Sequence, residues 1–116
     1  MRLADFVIEF LEKKKIDTVF TVSGGGSIFL CDALYKAKKL KYVACHHEQA
    51  VAYAAESYTR AKNKPGAAIV TTGPGGTNTT SGVACCWIDS VPSIFISGQV
   101  YLNQTIDQSG LRQVGV

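Results

Sequence analysis

The segment Ala67-Ala68-Ile69-Val70-Thr71-Thr72-Gly73-Pro74-Gly75-Gly76-Thr77-Asn78 decides the fold class of this chain. Its first five residues are apolar or β-branched, which predicts a short buried strand over 67–71. A glycine-rich turn follows, and the small apolar residues after it predict a helix from about Gly75 to Trp87. A buried strand, a tight turn and a helix in this order form the repeating unit of a parallel α/β sheet.

The same unit occurs twice upstream of this segment. Residues 18–22 and 42–45 are apolar runs that predict buried strands, and each precedes a short turn and a helix. The first turn covers 23–27 and its helix reaches about residue 35, whereas the second covers 46–48 and its helix reaches about residue 61. A fourth strand is predicted over 93–97. Apolar strands that alternate with helices favour a parallel sheet covered on both faces, with the three turns together at its carboxyl edge.

The two ends of the chain carry weaker patterns. Near the start, the spacing of five apolar residues predicts an amphipathic helix with these side chains inward: Leu3, Phe6, Val7, Phe10 and Leu11. Residues 99–110 are polar and show no clear period, and no capping element precedes Val116. We therefore expect residues 1–116 to be a single domain that is an incomplete fragment of a larger enzyme.

Composition excludes several classes of protein. The chain has 116 residues, of which 47% are hydrophobic and 18% charged, with a net charge of +3, so it can bury an ordinary core. Its lysines cluster at predicted helix ends rather than in an arginine-rich patch, so no nucleic-acid partner is expected. No membrane segment is expected either. The cysteines, at positions 31, 45, 85 and 86, form no CxxC pair, which predicts reduced thiols in a cytoplasmic protein and no metal site.

The glycine-rich turns leave a second class of function open. In the dinucleotide fingerprint G-x-G-x-x-G, the sixth position would be Phe29 counted from Gly24 and Asn78 counted from Gly73, so both turns fail the pattern. Glu48 nevertheless lies near the end of the second strand, where an acid that binds ribose would sit. A further alternative is that Glu48, as a carboxylate at a helix start, caps the helix and has no other role. A non-catalytic nucleotide-binding or interaction module therefore remains the alternative.

Several short sequence motifs, in a fixed order and spacing, give the chain a more specific resemblance to a known family. It resembles the pyrimidine-binding (PYR) domain of thiamine-diphosphate enzymes, above all the acetolactate synthase group. The matching phrases are Val19-Phe20 with Ser23-Gly24-Gly25, His47-Glu48-Gln49, Tyr58-Thr59-Arg60, Thr72-Gly73-Pro74-Gly75-Gly76-Thr77-Asn78, Asp89-Ser90-Val91-Pro92 and Gly98-Gln99-Val100. Two positions differ, because Ser23 replaces the family's proline and His46 replaces its arginine.

The resemblance implies a fold, a cofactor and roles for individual residues. The fold would be a flavodoxin-like three-layer α/β domain, the ThDP-binding fold, and we expect it to be truncated at its C-terminus. Glu48 would be catalytic, because in this family the glutamate hydrogen-bonds N1′ of the aminopyrimidine and so activates the cofactor. The cofactor contacts would be Val22, Ser23, Gly24, Glu48, Thr72, Gly73, Pro74 and Asn78, with Gln99 on the substrate side.

The resemblance also implies partners that the chain itself does not contain. The cofactor would be thiamine diphosphate, with Mg²⁺ bound by a diphosphate-binding domain that is absent from this chain. In the family that domain belongs to another subunit, so a homo-oligomer is expected. The substrate would be a small 2-keto acid that undergoes decarboxylation or carboligation. The isolated domain would be inactive, whether it is excised from a longer chain or a separate subunit.

Overall fold

The computed structural model describes residues 1–110, so positions 111–116 of the predicted domain lie outside the described residues. The helices are α1 (Leu3–Lys13), α2 (Ile28–Lys36), α3 (Glu48–Lys62), α4 (Pro74–Thr77), α5 (Thr80–Ile88) and α6 (Ile106–Ser109). The strands are β1 (Thr18–Thr21), β2 (Lys41–Ala44), β3 (Ala67–Val70) and β4 (Ile94–Ser97). Single 3₁₀ turns cover Gly25–Ser27 and Leu102–Gln104.

The four strands form one parallel sheet in the order β2-β1-β3-β4. In the register of the sheet, Thr21 of β1 lies beside Ala44 of β2 and Ile69 of β3. Because all neighbours run in the same direction, the carboxyl ends of the strands meet at one edge. The turns after β1, β2 and β3 therefore lie side by side, and the predicted parallel sheet is confirmed.

Helices cover both faces of the sheet, as the three-layer prediction requires. Alternation along β3 sends Ala67 and Ile69 into the cluster under α1 and α2, and Ala68 and Val70 into the cluster under α3. Helix α5 packs beside α3 on that second face. Leu11, Ile69 and Val51 are fully buried in these clusters. Burial of one such side chain contributes about 1.5–3 kcal/mol, so both faces hold the sheet in place.

The buried face of α1 differs from the predicted one. Ala4, Ile8 and Leu11 face the sheet, whereas Leu3 is 79% exposed and Phe6 and Phe10 are about half exposed, at 48% and 41%. Both rows of residues are apolar and follow helical spacing, so periodicity alone does not separate them. The row with the small residue Ala4 lies against α2 and the sheet, and the larger aromatic side chains turn outward.

The helix predicted from Gly75 to Trp87 is interrupted after its first turn. Helix α4 ends at Thr77 and α5 begins at Thr80, because the N–H of Thr79 donates to the carbonyl of Gly76 in an i→i−3 bond of 3.1 Å. The hydroxyl of Thr79 also donates to that carbonyl, at 2.6 Å. A threonine hydroxyl that bonds a nearby carbonyl competes with the helical ladder, which explains the break.

The strand β2 is less covered than predicted. All four of its residues are exposed, and Tyr42 and Val43 keep 50% and 44% of their accessible surface. Among the described strands, β2 pairs only with β1, so it forms one edge of the sheet. An apolar run predicts burial on both faces, yet an edge position leaves such a run partly open. Among residues 1–110, no helix combines the length and the apolar character needed to cross a membrane.

Candidate functional site at the carboxyl edge of the sheet

Glu48 is the first residue of α3 and lies directly after the carboxyl end of β2. His47 caps the helix, since its Nδ1 atom accepts a hydrogen bond from the N–H of Gln49 at 3.1 Å. Glu48 does not cap the helix; its side chain is free to reach sideways. Its Oε2 atom accepts a bond from Nδ2 of Asn78 at 3.3 Å. The helix cap and the carboxylate are therefore two neighbouring residues with separate tasks.

The glycine-rich turn after β3 brings its backbone close to Glu48. Gly73 has φ 63° and ψ −126°, a conformation that side-chain-bearing residues rarely adopt. Two residues later Gly75 is buried, and a Cβ there would lie 3.7 Å from Oε1 of Glu48 and 2.6 Å from Cγ2 of Thr71. Glycine at 75 is thus needed to pack the turn against Thr71, whatever the turn binds.

Thr71 joins the first turn to the third, and the sequence did not single it out. Its Oγ1 atom accepts a bond from the N–H of Gly26 at 3.0 Å. A Cβ on Gly24 would come within 2.5 Å of the Thr71 side chain. Thr71 also packs against Gly75 on its other side. The sequence indicates this role only through the position of Thr71, which directly follows β3 and directly precedes the glycine-rich turn.

The fourth strand end contributes Gln99 to the same edge. The hydroxyl of Thr72 donates to Oε1 of Gln99 at 2.6 Å. Ser97 donates from Oγ to the carbonyl of Thr71 at 2.9 Å. Gly98 is packed so tightly that a Cβ would lie 2.1 Å from the carbonyl oxygen of Gly26. These contacts bring residues 99, 71–72 and 26 into one group, although they are far apart in the sequence.

The residues predicted from the sequence divide into two groups. Glu48 and Asn78 are in direct contact, and Thr72, Gly73 and Pro74 belong to the same turn as Asn78, with Gln99 bonded to Thr72. Gly24 reaches this group through Thr71. Val22 and Ser23 instead border a cavity that also touches α2 and β2. His46 is exposed.

Other residues of the matching phrases lie at the opposite edge of the sheet. Tyr58 donates to Oδ1 of Asp17 at 2.5 Å, directly before β1. Arg60 pairs with Glu56 and with Asp89, which follows α5. The Tyr58 bond joins α3 to the residue before β1, and the Arg60 pair with Asp89 joins α3 to the end of α5. These contacts support the fold and do not involve Glu48.

The chain is similar to known proteins over nearly its whole length. Residues 1–114 match the family model described as "Thiamine pyrophosphate enzyme, N-terminal TPP binding domain". A chloroplastic acetolactate synthase from Arabidopsis thaliana is 44% identical over 97 residues, which are 84% of this chain and 14% of that protein. The acetolactate synthase large subunit of Haemophilus influenzae is 36% identical over 100 residues, 86% of this chain and 18% of its own length.

The mitochondrial acetolactate synthase catalytic subunit of Saccharomyces cerevisiae is 38% identical over 92 residues, or 79% of this chain and 13% of that protein. The chain thus spans only about 13–18% of these relatives. Their names place some of them in chloroplasts and mitochondria, so the cytoplasmic location stays a prediction. The resemblance read from the sequence is confirmed. This chain belongs to the family of thiamine pyrophosphate (thiamine diphosphate) enzyme N-terminal domains.

Proposed function

We propose that this chain is the pyrimidine-binding half of a thiamine-diphosphate-dependent enzyme that acts on a 2-keto acid, in the manner of acetolactate synthase. The observation that carries the proposal is the contact between Glu48 and Asn78 at 3.3 Å. It brings a carboxylate and an amide from two different strand-to-helix junctions to one point on the edge where ligands of parallel α/β sheets bind. The nucleotide-binding alternative gains no support from the relatives, which are named as synthases.

The donor set at this point fits an aminopyrimidine ring. Glu48 is half-buried, and no described residue donates a hydrogen bond to its Oε1 atom. A carboxylate with one oxygen held by an amide still has acceptor capacity on the other. A ring nitrogen that carries or shares a proton can use that oxygen. Asn78 would fix the orientation of the carboxyl group, so that little ordering is left for the moment of binding.

The remaining predicted contacts would form the walls of the site. Gly73 and Pro74 present backbone without a bulky side chain, which suits a flat ring. Thr72 and Gln99 are hydrogen-bonded to each other and would lie toward the substrate. When bound, thiamine diphosphate supplies the carbon nucleophile and the electron sink for decarboxylation. The task of this chain would be to hold the ring and to exchange one proton through Glu48.

The metal and the diphosphate would be bound elsewhere. Within residues 1–110, no group of three or more His, Cys, Asp or Glu side chains is placed to hold a metal ion. Mg²⁺ prefers carboxylate and phosphate oxygens. We therefore assign it, with the diphosphate, to a separate domain of the parent enzyme or of a second subunit. A homo-oligomer that binds the cofactor between two subunits would provide this separate domain.

The substitution Glu48→Gln tests the proposal in a complete enzyme that contains this domain. Glutamine keeps the volume and the bond to Asn78 but cannot share a proton with the ring. Loss of one acid–base group lowers a rate by about 10²–10⁴-fold. Hydrogen–deuterium exchange at C2 of bound thiamine diphosphate, followed by proton NMR after acid quench, measures that step without turnover of a keto acid.

Glu9→Gln, on the exposed side of α1, is the matched control and should leave the exchange rate unchanged. Thermal unfolding should be equal for both variants and the parent. If Glu48→Gln exchanges C2 deuterium as fast as the parent while it binds the cofactor, Glu48 is not the activating residue and the proposed function fails.

A further inference from the structure

A cavity lies between α2 and β2, mainly on the face of the sheet covered by α1 and α2, and Glu48 is not one of its lining residues. Its volume is about 340 Å³, and α2 contributes Cys31, Leu34 and Tyr35 to its wall. Tyr42 and Ala44 of β2 close the side next to the open edge of the sheet. Small-molecule sites in proteins occupy about 300–1,000 Å³. The cavity is therefore large enough for a compact ligand of a few carbon atoms.

The side chain of Thr21 gives this cavity a polar group without a partner. Thr21 is 7% exposed, and its Oγ1 atom has no hydrogen-bond partner in the described part of the chain. It lines the cavity at the end of β1. Alternation puts its side chain on the same face as Val19, which packs in the cluster under α1 and α2.

A buried hydroxyl without a partner is unfavourable. Its loss of hydration costs about 1–3 kcal/mol when no other group replaces the water. A folded protein keeps such a group only where something compensates for it. Valine has almost the shape of threonine and would remove the cost, so the hydroxyl points to a bound molecule that uses it.

The other lining residues restrict the chemistry of that molecule. Their polar groups are the hydroxyls of Ser23 and of two tyrosines, and the rest are aliphatic or thiol side chains. None of these side chains is an acid, a lysine, an arginine or a histidine. A charged molecule would lose its hydration there without a counter-charge. This excludes a keto acid, an amino acid or a phosphate and leaves a neutral, mainly apolar molecule.

We propose that the cavity under α2 binds a small uncharged alcohol or phenol, whose hydroxyl pairs with Oγ1 of Thr21 and whose carbon skeleton packs on Leu34 and Ala44. The cavity lies mainly on the α2 side of the sheet, although its lining residues Val22 and Cys45 also pack against the cluster under α3. Glu48 is not one of its lining residues, so the proposal rests on Thr21 and the cavity wall and not on cofactor activation by Glu48. Val22 and Ser23 border this cavity, so its occupant would touch the loop that precedes Gly24.

Binding of phenol and toluene to the full chain tests the proposal, because the two probes share a shape and differ in one hydroxyl. Ligand-observed NMR titration gives both affinities. The substitution Thr21→Val should weaken phenol binding about 3- to 10-fold, the value of one ordinary hydrogen bond, and should leave toluene unaffected. Thr80→Val, on an exposed hydroxyl bonded to the carbonyl of Thr77, is the control and should change neither.

Cysteine alkylation locates the binding site independently. Saturating phenol should slow the reaction of Cys31 and Cys45 with iodoacetamide, as measured by mass spectrometry, because both line the cavity. Cys85, on α5, is the internal reference and should react at the same rate with and without phenol. Burial already raises the pKa of Cys45, so its alkylation is followed at pH 9.

Two further variants separate the possible outcomes. Ala44→Leu keeps Thr21 but fills the cavity, so it should abolish binding of both probes. Glu48→Gln should leave phenol affinity unchanged, which distinguishes this site from the proposed cofactor site. If phenol does not bind, if Thr21→Val binds phenol as well as the parent, or if Cys31 and Cys45 remain unprotected, the proposal is wrong.

Discussion

Helix α3 begins at the carboxyl edge of the sheet and ends at its amino edge, and the polar side chains at its two ends differ in how fully they are hydrogen-bonded. At the carboxyl edge, α3 begins with Glu48, whose carboxylate accepts one hydrogen bond within residues 1–110, from Asn78 to Oε2. At the amino edge, α3 ends among residues whose polar groups are paired with one another. Thr59 bonds Gly66, Ala55 and Ser93, and Tyr58 bonds Asp17. A polar group that is already satisfied inside the chain stabilises the fold, whereas one that is left free can bind.

This contrast also separates the phrases that carry the family resemblance. The phrase with Glu48 and the glycine-rich turn lie at the carboxyl edge. The phrases Tyr58-Thr59-Arg60 and Asp89-Ser90-Val91-Pro92 lie at the amino edge, where Arg60 and Asp89 form an ion pair. The shared motifs identify the family at both edges, but only the hydrogen bonds distinguish the candidate site residues from the residues that stabilise the fold.

The largest loss of stability is expected from Thr59→Val at the amino edge. Thr59 is 4% exposed, and its Oγ1 atom accepts from the N–H of Gly66 at 2.8 Å and lies 2.8 Å from Oγ of Ser93. Valine would leave both groups without this partner. Unfolding in urea should show a loss of about 3 kcal/mol.

Thr80→Val is the control for this variant, because that hydroxyl is exposed and should cost much less. In a complete enzyme, C2 exchange per folded molecule should be unchanged by Thr59→Val, the reverse of the result expected for Glu48→Gln. A Thr59→Val protein that keeps the stability of the parent would show that the amino edge does not hold the fold.

Gly75→Ala tests whether the carboxyl edge also has a structural part. The new Cβ would lie 2.6 Å from Cγ2 of Thr71, an overpacked contact that should destabilise the fold by about 2 kcal/mol. Thr71→Ser removes Cγ2 but keeps the oxygen that accepts from Gly26. The double variant should therefore recover most of the lost stability, and urea unfolding of the four proteins gives the coupling between the two positions.

Gly75→Val, a larger change, should weaken cofactor binding in a complete enzyme more than it weakens folding if the backbone at 75 also approaches the cofactor. Fluorescence titration of thiamine diphosphate beside a urea melt compares the two. Equal losses would leave packing against Thr71 as the whole reason for this glycine.

Tyr58→Phe should change the pH dependence of stability. The bond from Tyr58 lowers the pKa of Asp17, and the same bond raises the pKa of Tyr58. The lowered pKa of Asp17 contributes stability above the ordinary value of 3.8, which is lost as pH falls below it. The raised pKa of Tyr58 contributes stability below 10.0, which is lost as pH rises through the folded value.

The parent should therefore exceed Tyr58→Phe in stability mainly between about pH 4 and pH 10. The Asp17 side chain is 48% exposed, so screening by water limits the difference to about 1 kcal/mol. Urea unfolding at pH 3, 7 and 10.5 measures it. A difference that stays the same at pH 3 and pH 7 would mean that the Asp17 charge is not involved.

The smallest effect is expected from Asp89→Asn. Its carboxylate pairs with Arg60 but is 51% exposed, and Arg60 keeps its second partner Glu56. Exposed ion pairs of this kind contribute little to stability and are screened by salt. Thermal unfolding in 50 mM and 1 M NaCl should show a small difference from the parent at low salt and none at high salt. A loss several times larger would make this pair a main support of the amino edge.

Sequence patterns were enough to predict the parallel α/β architecture and the edge of the sheet at which the candidate residues lie. The predicted strands 18–22 and 67–71 agree with the observed strands 18–21 and 67–70, since each is a short apolar or β-branched run that leads into a glycine-containing turn. The right-handed connection of parallel strands then puts the turns after them at one edge. Glu48, Thr72 and Asn78 could be assigned to a common site by this rule of topology before any contact was known.

The individual contacts within that architecture depend on the folded structure. Whether α1 buries Phe6 or Ile8 depends on the shape of the sheet and of α2, and helical periodicity fits both. The role of Thr71 depends on Gly26, 45 positions earlier in the chain. The Thr21 hydroxyl has no hydrogen-bond partner within residues 1–110, which no local sequence pattern could show. Local patterns report what a residue prefers, whereas packing and hydrogen bonding depend on neighbours that the chain brings together only when it folds.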